Sequence, residues 1–224
     1  MFTKKTLTFL KELDKNNNRD WFAENKDRYE NDVRTPALEY IETMAPAFGR
    51  ISPYFEAKAK KVGGSLMRVY RDTRFGKDKT PYKTNIGIHF RHVRAKDVHA
   101  PGFYLHIEPG NVFVGAGIWR PESSTLTAVR QLIDEHPKEW QTLNRKISTK
   151  AGFSLSGDSL KRPPKGYDKD HPLIEDLKRT DIMAIANLSM TSVYKADFHK
   201  ETGKLFKAVS PLVKFICEAD DLMF

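Results

Sequence analysis

The sequence predicts an α+β fold: a central antiparallel sheet with helices from both chain ends packed on it. Three observations carry this. Apolar residues recur at helical spacing over residues 3–48 and again over 195–219. Between them the period drops to two. Helices and strands are segregated along the chain, and do not alternate as βαβ units do, which argues against a parallel sheet.

The elements follow in order. Residues 3–14 place Phe9, Leu10 and Leu13 on one helical face, and the polar run DKNNN ends that helix. A longer helix carries Phe22, Tyr29, Val33, Ile41, Met44 and Phe48 near one stripe, with Thr35-Pro36 either kinking or restarting it. In TNIGIHFR, Ile86, Ile88 and Phe90 alternate with Gly87, His89 and Arg91, which is strand patterning. FYLHIEPGNVFVGAGIW holds two alternating runs around Glu108-Pro109-Gly110-Asn111, with Pro and Gly where a type II turn wants them. Pairing Glu108 with Asn111 sets Ile107 opposite Val112 and Leu105 opposite Val114 on the core side. The other face then carries Tyr104, His106, Glu108, Phe113, Gly115, Gly117 and Trp119.

Ser123-Ser124 reads as the cap of a helix reaching about Glu135, and Pro137 starts another with Trp140, Leu143 and Ile147 on one side. GFSLSGDSLKR reads as a short hairpin and RPPKGYDKDHP as a turn-rich loop. A short helix near 173–179, a strand over 182–188 and a long helix over about 195–219 complete the chain. No repeat, low-complexity tract or linker interrupts residues 1–224, so one domain is expected.

Composition bounds the setting. The chain has 224 residues, 39% of them hydrophobic, with 14 Phe and 3 Trp to fill an interior. Its single cysteine, Cys217, excludes an internal disulfide and suits buried packing beside Phe215 and Ile216. MFTKKTLTFLKELDKN lacks the apolar core of a signal peptide, and no apolar run approaches a membrane span. A cytoplasmic protein with no membrane contact is expected. The net charge of +9 favours anionic partners through long-range attraction.

The charge is most concentrated in RVYRDTRFGKDKTPYKTN, residues 68–85. Six cations, Arg68, Arg71, Arg74, Lys77, Lys79 and Lys83, meet only two acids, Asp72 and Asp78. Read as a strand, 66–72 points Arg68, Tyr70 and Asp72 to one face and Val69 and Arg71 to the other. Guanidinium forks suit phosphate or carboxylate. The expected site for an anionic small molecule is therefore Arg68, Arg71, Arg74, Lys79 and Arg120, with Asp72 orienting them. Tyr82 would close one wall, and His106 and Glu108 would line the floor. Two other classes compete. A nucleic-acid-binding module would spread the same cations along backbone phosphates. A structural protein would pair the arginines with acids such as Glu108 or Glu122.

Other signals are weaker. His106 and Glu108, two apart on one strand face, suit an acid–base pair, a metal with His89 as third ligand, or a structural hydrogen bond. Gly115 and Gly117 remove side chains beside them, leaving either a groove or a space filled by a helix aromatic or a loop. In GIWRPE, Arg120 either joins the loop arginines or pairs with Glu122. Trp21 and Tyr29 read as packing. No P-loop, dinucleotide fingerprint, HExxH or GxSxG occurs, so no cofactor or metal is expected and no nucleophile identifies itself.

RVYRDTRF followed by DKTPY resembles the signature of the bacterial domain-of-unknown-function family 2461. NNNRDWFAENKDRYE, LHIEPG, GIWRPE and LKRPPKGYDKDHP are similar to its other segments, so the resemblance spans nearly the whole chain. It implies a single-domain protein of about this length and brings no catalytic residue with it.

Overall fold

The computed structural model describes residues 1–74, 76–94 and 99–224. Helix α1 (Lys4–Lys15) starts where the Thr3 N–H donates to Thr6 Oγ1 at 3.1 Å, and buries Leu7, Phe9, Leu10 and Leu13. The asparagines that end it have separate tasks. Asn18 caps α2 (Arg19–Glu24) by accepting from the Trp21 N–H at 2.9 Å. Asn17 reaches across to Tyr82, donating from its amide to the Tyr82 carbonyl at 2.9 Å and accepting from the Tyr82 N–H at 3.1 Å. Its side chain thus pairs as a neighbouring strand would.

A short α3 (Lys26–Tyr29) runs into a π-helical turn, Glu30–Arg34, and on into α4 (Thr35–Ile51). Pro36 explains that turn. It has no N–H to offer the carbonyl four residues back and its ring crowds that carbonyl, so the helix widens just before it instead of breaking.

Five antiparallel strands, β1 (Ile86–Arg91), β2 (Gly102–Glu108), β3 (Asn111–Ile118), β4 (Ser154–Ser156) and β5 (Ile182–Asn187), lie in the order β1-β2-β3-β5-β4. The expected register holds: Glu108 pairs Asn111, Ile107 pairs Val112 and Leu105 pairs Val114, with Gly110 at φ 89° closing the turn. One sheet face is the core. Phe90, Phe103, Leu105 and Val114 have no exposed surface there. Phe48 of α4 lies 4.2 Å from Phe90, and Phe206 of the C-terminal helix lies 5.7 Å from Phe103.

Helices α5 (Ser123–Glu135) and α6 (Pro137–Ala151) follow the third strand, then a single turn α7 (Ile174–Leu177) and the long α8 (Phe198–Ala219). Tyr40 and Thr202 share a buried 2.7 Å hydrogen bond that fixes α4 against α8. Trp140 of α6 packs 5.3 Å from Phe215 and donates its indole N–H to Asp176 at 2.9 Å. One cluster of buried apolar residues runs from Phe2 to Cys217. Among the described residues no helix is long and apolar enough to cross a membrane.

Three expectations need correction. Residues 66–72 form no regular strand. Only two isolated bridges occur, Leu66 with Ile88 and Tyr70 with Tyr82, because Pro81 accepts from the Arg71 N–H but has no N–H to continue a ladder. GFSLSGDSLKR does not fold on itself. Ser154–Ser156 pairs with Ile185, Ala184 and Met183, and Ser159 with Arg179, because Gly157 at φ 111° turns the chain along β5. The residue at the N-cap of α5 is Glu122, not a serine, and its side chain makes no capping bond.

Candidate functional site

The basic loop answers its two acids within itself. Arg71 donates to Asp78 at 2.5 Å and to Thr80 at 2.8 Å. Arg74 grips Asp72 at 2.7 and 3.0 Å, as expected for the acid among the first three arginines. Hydrogen bonds from the Arg74 side chain and N–H hold the Asp72 carboxyl down at about 2. Asp78 is held below its usual range chiefly by bonds from Thr80. Lys79 donates to the Thr73 carbonyl at 2.8 Å. Arg68 and Lys83 make no ion pair among the described residues. Burial first, then Arg68 and Arg71, push the Lys83 ammonium below its ordinary value. Tyr82 is not an open wall: its ring is buried and stacked 4.0 Å from Phe22, with Asn17 clamped on its backbone. Phe75 lies outside the described residues.

Arg120 does not join this group. The Glu108–Asn111 turn, beside Thr84, marks one end of the sheet, and Arg120 follows Ile118 at the other. Seven residues of strand separate them, about 23 Å at strand rise. Arg120 stands at φ 46°, with its N–H donating to the buried Asp181 at 2.7 Å and its guanidinium 4.9 Å over Trp119. No Arg120–Glu122 ion pair forms among the described residues. Asp181 also accepts from the Asp158 N–H at 2.9 Å, tying the two chain reversals at this end together.

His106 and Glu108 sit in a hydrogen-bonded chain. Thr84 donates to Glu108 Oε1 at 3.0 Å, Glu108 Oε2 lies 3.2 Å from His106 Nε2, and His106 Nδ1 lies 3.2 Å from the Tyr104 hydroxyl. His106 stacks on Phe113 at 4.7 Å. His89 is not part of this group. Its ring lies over Gly102, where a Cβ would come within 2.3 Å of Nε2. Among the described residues no three His, Cys, Asp or Glu side chains converge as a metal site would need.

Beside this chain, the sheet face away from the core opens into a groove of about 400 Å³. Its described walls are mainly apolar: Met67, Phe113, Trp119, Met183 and Ile185, with Tyr104, His89 and Ser156 as the polar exceptions. The two glycines do different things. At Gly117, with φ 131°, a Cβ would lie 2.0 Å from the Ile182 carbonyl, so the backbone demands glycine. At Gly115 a Cβ would meet Ile185, Ala184 and Phe113 at ordinary distances of 3.6 to 3.9 Å, so its missing side chain leaves space.

Both titratable groups among the groove's described walls are held neutral. Burial, with Arg91 adding to it, pushes the His89 imidazole down to about 4, and its buried Nδ1 has no hydrogen-bond partner. Burial pushes the Tyr104 phenol up to about 12, against an opposing hydrogen bond from Asn85. Sequence reasoning named His106 and Glu108 but did not single out Met67, Gly102, Tyr104 or Met183. The strand alternation puts Tyr104 on this face, while Met67 arrives from a loop that carries no periodic signal.

The model of the DUF2461 family, described as conserved hypothetical protein, matches residues 5–215. The chain belongs to this family. The match spans every strand, α4 and α8 as far as Phe215, so the groove is built from family residues throughout. No curated protein and no solved structure matches the chain.

Proposed function

We propose that this is a cytoplasmic, single-domain protein that binds a small ligand with a flat apolar body and an anionic end. The groove over Gly115 supports the reading: a mainly apolar concavity of about 400 Å³, with no helix residue among its described walls, is the kind of place small ligands occupy. The anionic end is supported by the cations around it. Arg120 lies over the Trp119 ring, and Arg91, at the same end of the sheet, is close enough to oppose protonation of His89. In this reading the ion-paired Arg71 and Arg74, and Lys79 bonded to a backbone carbonyl, add long-range attraction and not direct contacts.

The test uses 8-anilinonaphthalene-1-sulfonate, a flat apolar body carrying one anion. Trp119, 42% exposed on the groove wall, should be quenched when it binds. Gly115→Val should weaken binding at least about tenfold, a cost of roughly 1.4 kcal/mol, because its methyl groups occupy the groove. Its melting temperature should hold, since the added Cβ meets ordinary contacts. Equal affinity for both proteins would overturn the reading.

A further inference from the structure

The groove contains a hydroxyl backed by a proton acceptor, and the acceptor is itself oriented. Glu108 lies 3.2 Å from His106 Nε2 and is fixed on its other oxygen by Thr84 at 3.0 Å. A carboxylate can only accept, so Nε2 carries the imidazole proton and Nδ1 is left as a lone pair. The Tyr104 hydroxyl, 3.2 Å from Nδ1, is then the donor in that bond. Stacking on Phe113 keeps the imidazole from turning away. The phenol ends this chain over Gly87, where any Cβ would come within 2.7 Å of its oxygen, beside the Met67 sulfur that lines the groove.

A nucleophile, a base in hydrogen-bond reach and a third group that orients the base is the arrangement of nucleophilic catalysis. We infer that Tyr104 is a nucleophile for acyl transfer from an activated ester held in the groove, with His106 as its base and Glu108 as a positioning residue. This rests on the groove-binding reading above. In the step, Tyr104 Oη bonds to the ester carbonyl carbon while its proton passes to His106 Nδ1. The carbon–oxygen bond to the leaving group then breaks, and the departing oxygen takes the proton back from His106. The acyl group now rests on Tyr104. Attack by water returns the phenol and releases a carboxylic acid, so atoms and electrons balance without a further reactant.

Burial makes the free phenolate unfavourable, so Tyr104 cannot act by ionising ahead of the reaction. It depends on a base that takes the proton as the new bond forms. Asn85 stands beside both groups: its amide lies 3.4 Å from His106 Nδ1, a longer contact than the phenol's 3.2 Å, and it favours negative charge on the phenol oxygen.

The experiment treats the full chain with naphthalene-1-sulfonyl fluoride, which shares the flat body of the binding probe and traps tyrosine when fluoride leaves. Intact mass and peptide mapping should find one adduct, on Tyr104. Tyr104→Phe should remove it, and His106→Gln should slow labelling about 100-fold, the lower end of what general bases contribute. Glu108→Gln preserves shape and separates positioning from packing. It should slow labelling about tenfold while leaving Trp119 quenching by naphthalene-1-sulfonate unchanged. Adducts only on exposed tyrosines such as Tyr70, or a Tyr104 rate indifferent to His106 and Glu108, would overturn the proposal. Trp119 quenching by naphthalene-1-sulfonate without a Tyr104 adduct would sink the nucleophile and leave the groove standing. An adduct without quenching would do the opposite, and neither signal would sink both.

Discussion

The loop at 68–83 and the glycine-bared face of the sheet meet at Arg68 and Met67, and they treat their polar groups in opposite ways. The loop gathers charge and then answers it locally, Arg71 with Asp78 and Arg74 with Asp72, in full contact with water. The face carries little charge but leaves demands unmet: apolar walls without a covering side chain, and an imidazole whose buried nitrogen has no partner. A dense run of cations is therefore not yet a site. What marks a site is surface the fold has paid to organise and then left unfilled.

Three measurements would break or sharpen that contrast. The largest effect is expected at Gly117→Ala. A Cβ there would lie 2.0 Å from the Ile182 carbonyl at a φ of 131°. Backbone strain and overpacking together should cost about 3 kcal/mol, read by urea unfolding. A loss under about 1 kcal/mol would mean that β3 and β5 part easily and the groove is less fixed than it looks.

Next comes acid. The folded His89 is held at about 4 against an ordinary 6.5, so between those values the unfolded chain binds a proton that the folded one refuses. Stability should fall as pH drops through that window, by roughly 2 kcal/mol after allowing for the ring's partial exposure. His89→Gln should flatten the curve. Asp72 loses its smaller contribution lower down, as pH falls from 3.8 towards about 2. An unchanged slope in His89→Gln would show that the imidazole finds a partner or water in solution.

The smallest effect belongs to the loop. Arg71→Ala and Arg74→Ala each break a solvent-exposed pair, so each should move the melting temperature by no more than about a degree or two. Neither should alter anilinonaphthalene-sulfonate affinity more than about twofold at moderate salt. A melting loss of several degrees in both would make the loop a frame for the fold. Retained stability with duplex DNA binding that weakens steeply with salt, read by fluorescence anisotropy, would make it a nucleic-acid interface.

Much of the fold was legible because periodicity reports burial directly. The Glu108–Asn111 register and the helices after Ser123 and Pro137 needed only alternation, turn chemistry and helical spacing. Residues 66–72 misled because alternation persists in a segment that meets β1 only around Leu66 and Met67 and then bridges Tyr82, outside the strands. Part of the site was visible: the glycine face, and the His106–Glu108 pair. The rest was not. Tyr104 reads as a strand aromatic until its distance to Nδ1 is known, and Gly102 looks like any strand start until His89 is placed over it. Arg120 failed as a loop partner because sequence gives charge but no position along a sheet.

The two margins of the sheet have a consequence for how the protein behaves in a crowd. Along β1 the Met67 N–H bonds to the Gly87 carbonyl and the His89 N–H to the Ser65 carbonyl, so that margin is already partly occupied. At the far side β4 offers only three residues before Gly157 turns away. Neither margin presents a long row of free N–H and C=O groups to a second molecule. The sheet is therefore a poor template for edge-to-edge polymerisation, and at high concentration the chain should stay dispersed through backbone geometry as well as through its charge.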